Sequence, residues 1–184
     1  MKKIKGIIPE VKMSAINVEG VMNLKPYKIL SVNTNSLFDG KLGLLDIIRK
    51  AFPEKFLIRK DFIMIPRQIK ESKEAGADAV LIIRDFLTSN QYDVLIQTCE
   101  KEHIIPITET QQIIIHIGKI VLVNSRNLNT GKFYRKQAEE VCREYKAWNK
   151  NVIYASGEDS DRVIKEGIAD AVLIGTKFMQ GKLK

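Results

Sequence analysis

Charged side chains stand where short apolar runs of the sequence end. Glu10 and Lys12 close the first run, and they are two residues apart, so both side chains leave the same side of a strand. Lys60 closes the third run and Glu109 closes the fifth. In a packed cluster of such groups, burial and neighbouring charges shift the pKa values of carboxyl and amino groups toward neutrality. The pattern therefore predicts general acid–base catalysis.

Small residues follow the last two apolar runs, as the pairs Ser156-Gly157 and Gly175-Thr176. Backbone N–H groups are accessible at small residues, and the dipole of a following helix favours an anion there. In α/β barrels, the loops after the seventh and eighth strands commonly bind phosphate. We therefore predict that these residues form a phosphate site.

Polar and aromatic residues near other strand ends suit the rest of a phosphorylated ligand. Asn124 and Arg126 follow the sixth apolar run and are expected to orient an oxygen-rich substrate. Phe38 and Phe62 lie just beyond the second and third runs. Two interpretations of these rings stay open: simple core packing, or a pocket for an aromatic ring.

Other reactive residue types are interpreted as structural. Arg59 and Asp61 stand on either side of Lys60, and we expect them to pair with each other beneath or beside it. Cys99 and Cys142 sit in helix-like stretches with apolar neighbours, which is typical of buried free thiols. The two histidines show no ligand-like spacing to these cysteines, so no metal site is expected.

The elements that must position these residues alternate along the chain. Short apolar, β-branched runs are the strand candidates, and amphipathic runs between them are the helix candidates, which predicts parallel strands with right-handed crossovers. The predicted strands are 6–12, 28–33, 56–59, 79–83, 104–108, 119–123, 152–155 and 171–174. The predicted helices are 17–24, 41–51, 66–74, 89–101, 111–116, 134–148 and 159–165, with a stub after residue 175.

An internal similarity supports a closed barrel. The stretch 73–83 resembles the stretch 165–175 at an offset of half the chain, although any helix–glycine–strand junction has some of this character. Two similar halves of four units give a (β/α)8 TIM barrel, a single α/β domain over residues 1–184. Such barrels usually need about 200 residues or more, so two crossovers and the last helix must be shortened. An open doubly wound sheet is the alternative.

Composition excludes several classes of protein. Charged residues make up 28% and apolar residues 45% of 184, which is an ordinary globular composition. No apolar run approaches the roughly 20 residues of a membrane span, and the basic start is too short for a signal peptide, so a cytoplasmic protein without membrane contact is expected. The net charge is +8, but the lysines are spread and no nucleic-acid-binding motif occurs. An anionic metabolite fits better than nucleic acid.

Several stretches together resemble one family, the indole-3-glycerol phosphate synthases of tryptophan biosynthesis. The most similar are LIRKDFI at 57–63, VNSRNLNT at 123–130 and LIGT at 173–176. FDG at 38–40 and PEVK at 9–12 also resemble the family's sequence. The resemblance covers nearly the whole chain in one order. It implies a carbon–carbon lyase (a carboxy-lyase) that needs no metal or organic cofactor.

The resemblance also implies a reaction and its catalytic residues. The substrate would be 1-(2-carboxyphenylamino)-1-deoxyribulose 5-phosphate, which cyclises and loses CO2 and water to give indole-3-glycerol phosphate. Lys60 resembles the general acid of ring closure, and Glu109 the acid/base of dehydration. Lys12 resembles the lysine that binds the substrate carboxylate, oriented by Glu10. Asn124 matches a catalytic polar residue at strand six.

The resemblance also implies which residues bind the substrate. Arg126 is the partner of Asn124, and the hydrophobic pocket around the anthranilate ring is formed by Phe38, Phe62 and Leu128. The phosphate positions are Ser156, Gly157, Gly175 and Thr176. A homodimer, or a complex with another tryptophan-pathway subunit, would fit a barrel without the family's N-terminal helix.

Because the sequence departs from the family's pattern at some positions, two other functions are considered. Ala155 stands where the family has a glutamate, and the loop after the first strand is reduced to Met13–Ala15 and a short helix. A non-catalytic or weakly active phosphometabolite-binding barrel is therefore the alternative. A sister isomerase of the phosphoribosylanthranilate type would want a cysteine where Lys12 stands.

Overall fold

The eight strands close into one barrel. The computed structural model describes residues 3–156 and 160–175, and its strands lie in the order β1 to β8 with every neighbouring pair parallel. Closure is made by β1 and β8, whose register runs from Gly6 opposite Ala171 to Pro9 opposite Ile174. The strands are β1 (Gly6–Val11), β2 (Ile29–Asn33), β3 (Phe56–Lys60), β4 (Ala79–Ile83), β5 (Ile105–Thr110), β6 (Ile120–Asn124), β7 (Asn151–Ala155) and β8 (Ala171–Ile174). The predicted barrel is confirmed, and the open sheet is excluded.

Helices cover the outside of the barrel and are short, as the chain length requires. They are α1 (Val18–Asn23), α2 (Gly43–Ala51), α3 (Pro66–Glu74), α4 (Ser89–Lys101), α5 (Arg135–Ala147) and α6 (Ser160–Lys165). Three 3₁₀ turns follow strands β1, β2 and β4, at Met13–Ala15, Ser36–Phe38 and Arg84–Phe86. The stub predicted after residue 175 lies outside the described residues.

The helix predicted at 111–116 is wrong, because the crossover from β5 to β6 is irregular. Three consecutive isoleucines at 113–115 disfavour a helix through their restricted side-chain rotamers. Two tyrosine hydroxyls bind the backbone instead. The Tyr145 hydroxyl donates to the carbonyl of Gln112 at 2.7 Å and accepts from the N–H of Ile114 at 2.9 Å. The Tyr92 hydroxyl accepts from the N–H of Gly118 at 3.3 Å.

Alternate residues of each strand fill the barrel interior. The buried interior cluster includes Ile8, Ile58, Leu81, Ile107, Leu122 and Ile153. The intervening residues face the helices and form the two outer clusters, with Val32 and Val80 in one and Val121 and Val152 in the other. This period of two is what places chosen side chains at the carboxyl end of the barrel.

Local signals in the sequence set several helix ends. Pro66 occupies the first turn of α3, and the Thr88 side chain accepts from the N–H of Gln91 at the start of α4. Gly76 follows α3 with φ +88°, a left-handed conformation that glycine adopts without penalty. Cys99 and Cys142 are buried free thiols. Among the described helices, none combines the length and apolar character needed to cross a bilayer.

Candidate active site

A cavity of about 350 Å³ opens at the carboxyl end of the barrel and is lined from all eight strands. Every predicted site residue that the structure describes lines it. These residues are Glu10, Lys12, Phe38, Lys60, Phe62, Glu109, Asn124, Arg126, Leu128, Ser156 and Gly175. Gly157 and Thr176 lie outside the described residues. The described residues that were predicted from strand ends therefore lie around one cavity.

Glu10 bridges two lysines. Its Oε1 lies 3.7 Å from Nζ of Lys12, and its Oε2 lies 3.6 Å from Nζ of Lys60. Glu10 is in β1 and only 6% exposed, whereas both lysine side chains are about a quarter exposed, at 25% and 29%. One buried carboxylate thus forms ion pairs with two ammonium groups that still face the cavity. A pair of cations held in this way suits a substrate with more than one anionic oxygen.

Glu109 is a buried acid on the opposite side of the cluster. It is 3% exposed, and its Oε1 accepts a hydrogen bond from Nδ2 of Asn124 at 2.8 Å. Burial raises the pKa of Glu109, and this outweighs the lowering by the Lys60 charge and the Asn124 hydrogen bond. A carboxyl group whose pKa is raised toward neutrality can both give and take a proton, as general acid–base catalysis requires.

Asn124 and Arg126 are held by a residue that sequence reasoning missed. Gln111 follows β5, and its Nε2 donates to the carbonyl oxygens of Asn124 at 2.9 Å and Arg126 at 2.8 Å. The Arg126 N–H donates to Oδ1 of Asn124 at 3.0 Å, which turns the Asn124 amide group toward Glu109. The signal for Gln111 was weak, because it stood in a stretch predicted to be helical.

Arg59 and Asp61 form the predicted structural pair, with a distance of 2.8 Å between Nη2 and Oδ2. Asp61 also accepts from the Thr34 hydroxyl at 2.6 Å and from Nδ2 of Asn35 at 2.9 Å. Burial raises the pKa of Asp61, but these hydrogen bonds and the Arg59 charge outweigh it and hold the pKa below its ordinary value. Asp61 Oδ1 accepts from the N–H of Phe62 at 2.8 Å, so the network fixes the residue that follows.

Phe38 and Phe62 form an aromatic wall on one side of the cavity. Their ring centroids are 6.0 Å apart at an angle of 43°. Phe38 is 51% exposed and Leu128, which also lines the cavity, is 40% exposed. Phe38 and Phe62 therefore line the cavity and are not part of the buried core.

Ser156 and Gly175 sit at the ends of the adjacent strands β7 and β8. Ser156 has a left-handed backbone with φ +64°, and its carbonyl oxygen accepts from the Ser125 hydroxyl at 2.9 Å. A Cβ atom on Gly175 would lie 3.8 Å from Oε2 of Glu10, so Gly175 adjoins the charged cluster. Ser125, at 1% exposure, was not predicted as part of this arrangement.

Ala155 gives the cavity an apolar floor where a carboxylate was expected from the family pattern. It pairs with Asn124 of β6 on one side and Leu173 of β8 on the other, and is 3% exposed. Leu122 lines the cavity in the same region. The described carboxylates facing the substrate space from the strands are thus Glu10 and Glu109.

The fold defines the class of protein as a TIM barrel with its site at the carboxyl ends of the strands. Two solved structures share the fold. The crystal structure of a 3-hexulose-6-phosphate synthase has a TM-score of 0.71 and 15% identity, covering 94% of this chain and 90% of that one. The 3-hexulose-6-phosphate synthase from Salmonella typhimurium has a TM-score of 0.68 and 13% identity, covering 98% and 99%.

Sequence comparison identifies the family within this class. The family model for indole-3-glycerol phosphate synthase matches residues 5–183. The synthase of Lachnospira eligens is 34% identical over 162 residues, or 78% of this chain and 58% of that protein. The synthase of Bacillus pumilus is 31% identical over 200 residues, or 95% and 78%. The chain belongs to the indole-3-glycerol phosphate synthase family.

The chain spans only part of some of these relatives. It covers 58% of the Lachnospira eligens protein and 59% of the Methanopyrus kandleri synthase, which is 32% identical over 157 residues. The matched part nevertheless includes the whole described barrel, since the family model begins at residue 5 and runs past β8.

Proposed function

We propose that this chain converts 1-(2-carboxyphenylamino)-1-deoxyribulose 5-phosphate into indole-3-glycerol phosphate. The ring carbon that bears the carboxyl group bonds to the ketose carbonyl carbon, CO2 leaves, and the hydroxyl formed from the carbonyl leaves as water. The observation that carries the proposal is the joint placement of the Lys12–Glu10–Lys60 network and Glu109 in one cavity of a barrel of this family.

Lys60 is the proposed general acid of ring closure. Its ammonium group faces the cavity and is held by Glu10 at 3.6 Å, so a proton can be delivered to the ketose oxygen from a fixed position. Lys12, fixed by the same carboxylate, is placed to bind the substrate's own carboxylate until it leaves as CO2. Lys60 is thus proposed to act on the ketose oxygen, and Lys12 on the substrate carboxylate.

Glu109 is the proposed acid/base of the dehydration. Loss of water needs a proton for the departing hydroxyl and a base for the proton removed from the neighbouring carbon. Because burial raises the pKa of Glu109, this carboxyl group holds the first proton to a higher pH than an exposed glutamate would. Asn124 keeps the Glu109 side chain in place through its 2.8 Å hydrogen bond.

Binding residues surround this centre on opposite sides. The anthranilate ring is proposed to lie against Phe38 and Phe62, with Leu128 across from them. The phosphate is proposed to bind at Ser156 and Gly175, together with Gly157 and Thr176 as the sequence predicts. Arg126 adds another cation to a cavity proposed to bind a ligand with a carboxylate and a phosphate group. For this reaction we also predict a cytoplasmic location and no requirement for a cofactor.

The proposal is tested by the fluorescence of the indole product. Purified chain mixed with 1-(2-carboxyphenylamino)-1-deoxyribulose 5-phosphate should give a time-dependent rise in indole fluorescence, with a rate proportional to protein concentration. A protein-free sample is the control. If the chain binds the compound, as seen by calorimetry, but the fluorescence stays at the control level, the proposed activity is refuted.

Ala155 favours one alternative, a barrel that binds the phosphorylated compound but turns it over poorly or not at all. Replacing Ala155 with glutamate separates the two cases, because a missing general acid or base costs about 10²- to 10⁴-fold in rate. A gain of that size in Ala155→Glu supports the alternative. If Ala155→Glu changes the rate less than about threefold, Glu10 and Glu109 already suffice.

A further inference from the structure

A third phenylalanine stands against the aromatic wall without belonging to the cavity. Phe86, in the 3₁₀ turn after β4, stacks on Phe62 with ring centroids 5.8 Å apart and an angle of 28°. Phe62 thus contacts both Phe38, at a tilted angle, and Phe86, in a stack. Phe38 and Phe62 line the cavity, whereas Phe86 is not among the described residues that do so. We infer that Phe86 is a positioning residue that sets the Phe62 ring as the platform for an aromatic ligand.

The backbone of Phe62 is already fixed, so the ring orientation is what Phe86 can control. The Phe62 N–H donates to Asp61, and the Phe62 carbonyl accepts from Nε2 of Gln68 at 2.9 Å. These bonds leave the two side-chain torsions free. Stacking on Phe86 restricts those torsions, because an offset stack is favourable over a narrow range of ring angles.

The turn that carries Phe86 is itself anchored on both sides of the ring. Arg84 donates to the carbonyl of Leu87 at 2.7 Å and to the Ser89 hydroxyl at 3.1 Å. Asp85 accepts from the Thr110 hydroxyl at 2.7 Å and from the N–H of Gln111 at 3.0 Å. Phe86 therefore stands in a turn that hydrogen bonds tie to Thr110 of β5 and to the start of α4, and its ring contacts Phe62 from there.

The inference rests on the proposed function in one respect, that the ligand of the cavity carries an aromatic ring. Such a ring would stack on Phe62 both before and during the reaction. Loss of the support would then weaken binding of substrate and transition state alike, which raises KM and leaves kcat nearly unchanged. A residue that merely packs the turn would lower thermal stability without this selective change.

The kinetic arm compares Phe86→Leu with Phe86→Tyr. Leucine keeps the apolar volume but has no ring face, and we expect KM to rise about three- to tenfold with kcat within about twofold of the parent. Tyrosine keeps the ring face and should restore the parent KM. A matching loss in both variants, or a fall in kcat without a change in KM, overturns the inference.

The binding arm needs no turnover and so separates this inference from the proposed function. Calorimetry with anthranilate, an aromatic carboxylate, and with glycerol 3-phosphate, which has no ring, probes the two ends of the cavity. Phe86→Leu should weaken anthranilate binding about three- to tenfold and leave glycerol 3-phosphate binding unchanged. Equal effects on both ligands, no effect, or a parent protein that does not bind anthranilate would each overturn the inference. If only the fluorescence assay fails, the proposed reaction falls and Phe86 keeps its role.

Discussion

The two ends of the barrel interior carry opposite chemistry on the same strands. Inward residues at the carboxyl end include four charged or polar ones, Glu10, Lys60, Glu109 and Asn124, beside the apolar Ala155. Inward residues at the amino end are apolar, namely Ile29, Phe56, Ile105 and Ile120. The amino-end cavity measures about 740 Å³ and the carboxyl-end cavity about 350 Å³. The proposed site is therefore the smaller of these two cavities, and its inward polar residues distinguish it from the larger one.

The difference has an energetic reason. Burying a charged group costs free energy unless it is paired, whereas burying apolar surface stabilises the fold. At the amino end, the buried lysine Lys55 donates to three backbone carbonyls, those of Leu24, Lys25 and Tyr27, although burial still lowers its pKa. At the carboxyl end, Glu109 is buried with its pKa raised. A group kept at a cost to stability is a candidate for function.

Removing Lys60 should have the largest effect on activity. Lys60→Ala is expected to lower kcat/KM by about 10²- to 10⁴-fold, the usual worth of a general acid, with little loss of stability because the side chain is 29% exposed. Lys28→Ala, at the rim of the amino-end cavity, is the matched control and should leave activity unchanged. Equal losses of activity in both variants, or unfolding of Lys60→Ala in a thermal melt, would contradict the claim that only the carboxyl end of the barrel is catalytic.

Truncating a core residue at the amino end should lower stability and leave the kinetic constants unchanged. Ile120 is 1% exposed, and Ile120→Ala is expected to destabilise the protein by about 2–5 kcal/mol in a denaturant titration. KM and kcat of the folded fraction should stay near the parent values. Ile113→Ala is the control, since Ile113 is 52% exposed and should cost far less. A selective loss of kcat in Ile120→Ala would contradict a purely structural amino end.

Replacing Glu109 with glutamine should separate activity from stability. The folded pKa of Glu109 is raised, so between the unfolded pKa and the folded pKa the native state holds a proton that the unfolded state has released. The parent protein therefore loses stability as the pH rises through that window, by about 1.4 kcal/mol per unit of pKa difference.

Glu109→Gln lacks this titration and keeps an acceptor for Asn124. It should match the parent stability at low pH, exceed it at neutral pH, and be catalytically impaired. Denaturant titrations from pH 4 to pH 8 check this. A stability difference that does not change with pH would mean that Glu109 ionises freely in the folded protein.

Much of this arrangement could be predicted from the sequence, because strand ends are local signals. Lys60, Glu109 and the small residues after β7 each follow a buried run, and topology alone then brings them together. The isoleucines at 113–115 were a local signal against a helix, but the conformation of the crossover could not be predicted, because Tyr92 and Tyr145 of two helices hold it by hydrogen bonds.

The residues that support the site could not be predicted from the sequence either. Gln111 acts through the backbone of β6, and Phe86 through a ring that precedes it by a strand and a helix. Neither has a motif, because the partners are set by tertiary packing. The same holds for Glu10. The sequence predicted that Glu10 belongs to a charged cluster, but not that it pairs with both Lys12 and Lys60.

The most direct test of the central claim is the fate of the substrate's carboxyl group. With 1-(2-carboxyphenylamino)-1-deoxyribulose 5-phosphate labelled in that group, the purified chain should release one labelled CO2 for each indole-3-glycerol phosphate formed, and Lys60→Ala should release almost none. Binding of the labelled compound without release of CO2, or equal release by the parent and Lys60→Ala, would contradict a working site built on the carboxyl end of the barrel.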